Sequence, residues 1–294
     1  MREKVLYRDV METRGGEERR GALTFTAGLD LQGRFVRANF REFRNLAVGG
    51  RSFANEALLQ AMISELAACY SPKKLQMILI DGMGEAFSAF QGLPHLISGE
   101  VVTEIPFALG ALDWAIREMA RRYDLLNAKI ASGASIRNVD DYNDVCMEDE
   151  KLAKILIVVG ELRELMRSNY RGTQQRLQAL MQMGHAAGIH VAVATSDLSP
   201  DVLTGAIRTR CGAKIAFHLS DERASRAIIE EDSAKMLVEQ DDLLVLFNGW
   251  AAAERLQGIT ISPAEAEECV ASARERYSAD PVYAGIIFSA VDND

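Results

Sequence analysis

The chain alternates short runs of β-branched and other apolar residues with longer stretches in which apolar residues recur at helical spacing. Such alternation is typical of a mostly parallel sheet covered by helices, so the sequence predicts an α/β fold with a mostly parallel central sheet flanked by helices. The predicted strands are Leu23–Thr26, Phe43–Val48, Leu75–Asp81, Ile155–Val159, Ile189–Thr195, Lys214–His218 and Leu243–Phe247, followed by a hairpin-like strand near Arg255–Ile261. The predicted helices are Ser52–Tyr70, Glu104–Ile130, Ser135–Cys146, Arg171–Ala187, Asp221–Glu230 and Pro263–Tyr277.

The pattern continues along the chain without an internal repeat or an obvious linker, so we expect one domain. Residues 1–262 are predicted to form its main body, and residues 263–294 its C-terminal helix and tail. Three segments interrupt the pattern. We expect Arg14–Arg20 to be a solvated turn, the acidic segment Asp140–Lys151 to loop out at the surface, and Ser278–Asp294 to be a tail or a docking strand.

Composition restricts the class of protein. With 294 residues, 48% of them hydrophobic and 26% charged, the chain has the profile of an ordinary folded protein. Its apolar runs, such as Ile155–Val159, are far shorter than a membrane-spanning helix requires. Four separated cysteines without a C-x-x-C pair fit a reducing compartment. We therefore expect a cytoplasmic protein with no direct membrane insertion, which only partners would hold at the inner face of the membrane.

The formal net charge of −9 is unevenly distributed. Residues 1–60 hold 11 basic and 8 acidic residues, a balance of +3, whereas residues 215–294 hold 6 basic and 16 acidic residues, a balance of −10. Proteins that bind nucleic acid usually present a basic face or stripe. Because the totals show none, we expect double-stranded DNA to bind the isolated chain only weakly.

The most informative segment is the junction between a predicted strand and a long predicted helix, which reads N-L-A-V-G-G-R-S. It has the layout of a phosphate-binding loop, G-x-x-x-x-G-K-[ST], whose backbone N–H groups surround the phosphates and whose hydroxyl binds Mg²⁺. Asn45 stands where the first Gly is expected, and Arg51 replaces the Lys. An ordinary strand-to-helix turn is the alternative. The candidate nucleotide-binding residues are Asn45, Gly49, Gly50, Arg51, Ser52 and Phe53, and Ser52 is also the candidate metal ligand.

Further motifs follow in order between Gly21 and Ile261. They include A-G-L-D-L-Q-G-R, the strand end L-I-D at Asp81, G-L-P-H-L, W-A-I-R-E-M-A-R-R-Y, R-N-V-D-D-Y-N, A-A-G-I-H-V-A-V-A-T and D-V-L-T-G-A-I. In this order and spacing they resemble the motor domain of the FtsK/SpoIIIE family of double-stranded DNA translocases. The resemblance implies a RecA-like P-loop fold. It extends to the type VII secretion motors, which join several FtsK-like ATPase domains.

The resemblance also implies site residues, and this chain departs from the family at several of them. Where the family has an apolar strand ending in Asp-Glu, this chain has Gly160-Glu161. Glu161 thus keeps the position of the catalytic residue, while Gly160 replaces the carboxylate that helps to hold Mg²⁺. Ser196 takes the place of a polar sensor, and Asp197 that of a basic residue. The alternative interpretation of Glu161 is an acidic residue that favours a helix start.

These departures act against phosphoryl transfer, which depends on positioning and charge stabilisation around the γ-phosphate and its metal. The resulting hypothesis is a pseudo-ATPase, with weak or absent binding of ATP and Mg²⁺. It would be a structural or regulatory part of a DNA-translocation or secretion assembly, beside related FtsK-like ATPase subunits or domains. Two alternatives stay open: an active ATP-dependent double-stranded DNA translocase, and a protein-binding scaffold that uses neither ATP nor DNA.

Other titratable side chains are expected to be structural. The four histidines lack metal-ligand spacing such as H-E-x-x-H. Arg117, Arg121 and Arg122, on the predicted helix Glu104–Ile130, could face DNA or a neighbouring subunit, but a solvated helix face is the expected explanation.

Overall fold

The structure is a computed structural model, and its description covers residues 4–13, 23–277 and 286–291. The strands in these ranges are β1 (Val5–Leu6), β2 (Thr24–Leu29), β3 (Phe35–Asn39), β4 (Leu46–Gly49), β5 (Leu75–Ile80), β6 (Lys154–Val159), β7 (Ile189–Thr195), β8 (Ala213–Phe217), β9 (Asp242–Phe247), β10 (Glu254–Gln257) and β11 (Ile259–Thr260). The helices are α1 (Tyr7–Thr13), α2 (Phe40–Phe43), α3 (Ser52–Cys69), α4 (Ile105–Ala131), α5 (Val139–Val145), α6 (Leu162–Ser168), α7 (Tyr170–Met183), α8 (Gly205–Arg208), α9 (Glu222–Ile229) and α10 (Pro263–Tyr277).

A mixed sheet of nine strands runs through the described part of the chain in the order β3-β2-β10-β9-β8-β4-β7-β6-β5. Strands β8, β4, β7, β6 and β5 are parallel to their neighbours within this group. Strands β9, β10, β2 and β3 extend it by antiparallel pairing. The predicted α/β fold with a central sheet between helices is confirmed, with the parallel part confined to five of the nine strands.

Burial on both faces explains the near-continuous apolar sequences of the parallel strands. Every residue of β5, β6 and β7 is buried. Side chains alternate between the faces, so that Met77 and Leu79 pack into one core with α3 and α10. Ile78 and Ile80 pack into a second core with α4, α6, α7 and α9. The sheet is therefore the middle layer of three.

Several element boundaries differ from the prediction for local reasons. The strand predicted over Phe43–Val48 begins only at Leu46, because the preceding residues form the helical turn α2, which Asn39 caps by accepting a hydrogen bond from the Arg41 N–H. The predicted loop Asp140–Lys151 contains most of α5, which Asn138 caps in the same way. Strand β7 and helix α10 have the predicted bounds.

Residues 286–291 pack on α4. Phe288 is buried and meets the Trp114 ring edge-to-face at 6.1 Å, and the Val291 N–H donates to the Pro106 carbonyl at 3.1 Å. The described part of the predicted tail thus docks without strand pairing. The predicted turn Arg14–Arg20 lies outside the described residues.

Arg122 contradicts the prediction of a solvated helix face. Its side chain is fully buried, with Nε donating to Glu118 Oε1 at 2.8 Å. Nη1 donates to the carbonyls of Ala153 and Ala187 at 2.8 and 2.9 Å. The prediction is therefore wrong for Arg122, which joins α4 to the amino ends of β6 and β7. Arg121 remains half exposed and pairs with the same Glu118 carboxylate.

Candidate nucleotide site at the carboxyl end of the sheet

Most predicted site residues meet at the carboxyl ends of the parallel strands. Strand β4 lies between β7 and β8, and the chain leaves it toward β5 before returning, so this is the switch point at which such sheets bind ligands. Gly49 ends β4 and Gly50–Phe53 follow it, Gly160-Glu161 follow β6, and Ser196 follows β7. The topology therefore brings these three segments together.

Asn45 is not among them. It precedes β4, roughly 13 Å from Gly49 at the usual rise of a strand. Its Nδ2 donates to the carbonyls of Met181 and Arg210, both at 3.0 Å, and its Oδ1 accepts from the Val191 N–H at 3.1 Å. The Asn45 amide is buried and links three segments at the opposite end of the sheet.

The junction after β4 is short. The strand ends at Gly49 and α3 begins at Ser52, so only Gly50 and Arg51 lie between them. A phosphate-binding loop places four residues between its two glycines. Here the residues that align with those four include Leu46–Val48, which lie inside the buried strand. The Gly50 N–H is also occupied, since it donates to the Thr195 carbonyl at 3.3 Å. These residues do not form a phosphate-wrapping loop.

Close packing accounts for both glycines of the junction. A Cβ on Gly49 would lie 2.6 Å from Ile228 Cδ1, and one on Gly50 would lie 2.7 Å from Phe217 Cβ. Asn55 stabilises the same turn, because its Nδ2 donates to the carbonyls of Gly50 and Thr195, both at 3.1 Å. The glycines thus admit β8 and α9 to the turn, which is a packing role.

Arg51 is the N-terminal boundary residue of α3, is exposed, and provides no side-chain cap for the helix. A cavity of about 220 Å³ lies beside this helix start. Its lining residues are Arg51, Phe53, Ala54, Phe217, His218, Val238, Glu239 and Gln240. The wall is largely apolar, and its charged lining residues are Arg51 and Glu239.

Glu161 ties the ends of β6 and β7 together. Its Oε1 accepts from Thr195 Oγ1 at 2.7 Å and from the Arg163 N–H at 3.1 Å. Its Oε2 accepts from the Ser196 N–H at 3.0 Å and from Ser196 Oγ at 2.7 Å. The residue is 7% exposed and is also the N-cap of α6. Both oxygens are therefore engaged by the protein, and the candidate sensor Ser196 is one of the donors.

An aromatic ring packs beside Gly160, where the family has a metal-side carboxylate. A Cβ on Gly160 would lie 3.2 Å from Phe87 Cε2, tighter than ordinary contact. Asp81 holds this ring in place, because its carboxylate accepts from the N–H groups of Gly84 and Phe87 at 3.0 Å each. The strand-terminal Asp81 is thus a cap for the following turn.

Several carboxylates lie near Glu56 at this end of the sheet. Burial raises the pKa of Glu56, and the negative charges of Asp81, Glu85 and Glu161 raise it further. Three carboxylates thus act on a fourth, Glu56, at this end of the sheet. In the described part of the chain, no three His, Cys, Asp or Glu side chains come together as a metal site.

Asp197, by contrast, lies beside a basic partner, with the Arg167 guanidinium 3.8 Å from its carboxylate. Burial alone would raise its pKa, but hydrogen bonds from Ser199 and the charges of Arg167 and Arg163 hold that pKa below its usual value. Thr195, Asn55 and Phe87 were missed by the sequence analysis. Their signal was weak, because a threonine at a strand end and an asparagine in a helix are common features.

The comparison with known proteins agrees with this architecture. The model of the FtsK/SpoIIIE family matches residues 8–200. This chain belongs to the FtsK/SpoIIIE family. It is 33% identical over 275 residues to the DNA translocase FtsK of Caldanaerobacter subterraneus subsp. tengcongensis and 30% identical over 292 residues to that of Clostridium tetani. The matches cover 93% and 98% of this chain, which spans only 38% of the length of each relative.

Solved structures confirm the predicted P-loop ATPase type of fold. The conjugation coupling protein TcpA of pCW3, in its monomer form with ATPγS, is 20% identical and superposes with a TM-score of 0.73 over 87% of this chain and 71% of its own. The cytoplasmic domain of the Thermomonospora curvata type VII secretion ATPase EccC is 18% identical, with a TM-score of 0.77 over 99% of this chain and 35% of its own. In the described residues, no helix is both long and apolar enough to cross a membrane.

Proposed function

We propose that this chain is a pseudo-ATPase domain that serves as a structural or regulatory member of a DNA-translocation or secretion assembly. The observation that carries the proposal is the two-residue junction between β4 and α3. A working motor of this fold needs a longer loop to surround the phosphates with backbone N–H groups. Here the one residue that could begin such a loop, Gly50, has its N–H bonded to β7.

The state of Glu161 supports the same proposal. A catalytic carboxylate must be able to reach a water molecule near the γ-phosphate. Four donors from Thr195, Ser196 and Arg163 already occupy both oxygens of Glu161. The active-translocase alternative would require this carboxylate to leave those donors.

The relatives suggest the kind of assembly. Some are DNA translocases, and others are secretion ATPases whose solved chains contain more than one ATPase domain, as in EssC with its ATPases 2 and 3. A domain with this fold and without turnover could preserve the spacing of such an array or complete a neighbour's site. Related FtsK-like ATPase domains are therefore the proposed partners.

The test is steady-state ATP hydrolysis by the purified chain, with and without duplex DNA. The motor domain of a FtsK relative, assayed in parallel, shows that the conditions support turnover. We expect no hydrolysis above background and no difference between wild type and Glu161→Gln. Turnover of around one per second, within the ordinary enzyme range, that Glu161→Gln abolishes would contradict the proposal.

A further inference from the structure

A groove on helix α4 holds residues 286–291, which the structure describes beyond α10. Pro106, Gly110 and Trp114 lie along its floor, each one helical turn after the last, and we call it the α4 groove. We propose that the α4 groove is a peptide-docking site that, in an assembly, accepts residues 286–291 of a second copy of this chain in place of its own. This inference rests on packing and does not depend on the proposed pseudo-ATPase function.

Gly110 shows that the groove is shaped for a peptide backbone. It lies in the interior of the 27-residue helix α4, where glycine is less favourable than alanine. A Cβ at this position would lie 1.8 Å from the Ser289 carbonyl oxygen and 3.0 Å from the Ser289 carbonyl carbon. These are backbone atoms, which cannot turn aside as the end of a flexible side chain can. The glycine thus leaves room for a backbone to lie directly on the helix.

The bound segment runs antiparallel to the helix in one register. At one end of the contact, the Phe288 ring meets the Trp114 ring edge-to-face at 6.1 Å. At the other end, the Val291 N–H donates to the Pro106 carbonyl at 3.1 Å. The helix rises roughly 12 Å between Pro106 and Trp114, and three extended residues span roughly 10 Å. The segment is therefore extended along the groove.

One aromatic side chain anchors the segment. Phe288 is 5% exposed and belongs to the second core, whereas Ile287 before it is 85% exposed. Ile286, two residues before the anchor, packs against the same core. Alternation of this kind is the pattern of an extended peptide that buries every second side chain. The groove therefore matches an extended apolar segment with an aromatic residue at its third position.

Few interactions hold the segment, so that its exchange is feasible. Within the described residues it pairs with no strand, and its backbone forms a single hydrogen bond to the rest of the fold. The same segment of a second copy would make the same contacts, so exchange loses none of them. The chain's own segment has the advantage of a high effective concentration. Exchange thus requires copies that are held close together, as they are in an assembly.

A labelled peptide with the sequence I-I-F-S-A-V stands for the segment of a second copy. Its binding to the full chain is followed by fluorescence anisotropy. Phe288→Ala removes the anchor of the chain's own segment and leaves the α4 groove intact. We therefore expect this variant to bind the peptide about tenfold or more tightly than wild type does. Adding Gly110→Ala, which places a methyl group against the peptide backbone but favours the helix, should abolish the binding.

Gly205→Ala is the matched control, because a Cβ at that position of α8 would meet nothing within 4 Å. It should leave peptide binding unchanged, and a peptide with alanine in place of its phenylalanine should not bind. Wild type should bind the original peptide weakly at high concentration, where Gly110→Ala alone does not, so the comparison stands even if Phe288→Ala folds poorly. Peptide binding that Gly110→Ala leaves unchanged would overturn the proposal, as would its absence from both wild type and Phe288→Ala.

A mixture of two variants tests the second copy directly. The Gly110→Ala chain has a closed groove and an intact segment, and the Phe288→Ala chain has an intact groove and a segment without its anchor. In sedimentation experiments at high concentration, we expect the mixture to contain a one-to-one complex that neither variant forms alone. Peptide binding without association of the mixture would overturn the assignment of the α4 groove to a second copy.

Discussion

Replacing Glu161 by Ala should destabilise the fold, because this side chain connects two central strands. The carboxylate is 7% exposed and accepts four hydrogen bonds, at 2.7, 2.7, 3.0 and 3.1 Å. A hydrogen bond to a charged group contributes about 1.5–3 kcal/mol to stability. The four are not additive, since the freed donors of Thr195 and Ser196 can reach water near the surface. A loss of about 3–5 kcal/mol, the usual cost of breaking a buried charged network, is therefore expected.

Thermal unfolding followed by circular dichroism measures this effect. For a chain of this size, 1 kcal/mol corresponds to about 2 °C, so Glu161→Ala should lower the Tm by about 6–10 °C. Glu161→Gln keeps one acceptor oxygen, so its Tm should lie between that of wild type and that of Glu161→Ala. The matched control is Glu164→Ala on the same helix, whose half-buried pair with Arg163 should cost below about 1 kcal/mol.

The reasoning is refuted if Glu161→Ala unfolds at the same temperature as wild type. A carboxylate held ready for water activation would behave in that way, since removing a catalytic group often leaves stability intact or improves it. Stability therefore separates a structural Glu161 from a catalytic one, without any assumption about nucleotide binding.

Three further predictions follow from buried polar groups. Burial lowers the pKa of His95 to about 4 and that of His190 to about 3, so both side chains stay neutral in the fold while the unfolded chain gains protons below about pH 6.5. The free energy of unfolding, measured in urea, should therefore fall as the pH decreases, by up to about 1.4 kcal/mol per pH unit for each histidine. His95→Gln should reduce that slope. Burial alone would raise the pKa of Glu118, but hydrogen bonds from Arg121 and the charge of Arg122 hold that pKa below its usual value. The stability that Glu118 contributes is therefore present at neutral pH and is lost in acid as the carboxyl protonates. Glu118→Ala should lower the free energy of unfolding, measured in urea at pH 7, by about 3–5 kcal/mol, and a loss below about 1 kcal/mol would contradict the buried pair with Arg122. Gly160→Asp should lower the Tm, because its Cβ would lie 3.2 Å from Phe87, whereas an unchanged or higher Tm would show that the ring can move aside.

The fold was predictable from sequence where packing follows a simple period. Parallel strands buried on both faces produce the apolar runs from which β6 and β7 were placed within one residue. Strand β3 was not predicted, because it is only partly buried and its sequence, F-V-R-A-N, contains polar residues. Helix α6 was not predicted either, because its seven residues make barely two turns, too few to show a helical period.

The candidate site was predictable as a place and not as an arrangement. The order of motifs locates the strand ends, and the departures at Arg51 and Gly160 are visible in the sequence. The length of the loop was not visible, because aligning Asn45 with a loop glycine assumes that Leu46–Val48 leave the sheet. Only the observed pairing of Leu46 to Gly49 with β7 and β8 shows that they stay in it. The use of Glu161 as a cross-strand acceptor depends on tertiary contacts that no local pattern encodes.

Calorimetric titration of Mg·ATP into wild type and Arg51→Ala tests the central claim most directly. The variant distinguishes binding at the start of α3 from binding elsewhere on the chain. Up to millimolar nucleotide, we expect wild type to show no Mg·ATP binding that depends on Arg51. A low-micromolar dissociation constant in wild type that Arg51→Ala raises about tenfold or more, a change of about 1.4 kcal/mol, would show that the short junction holds phosphates and would contradict it.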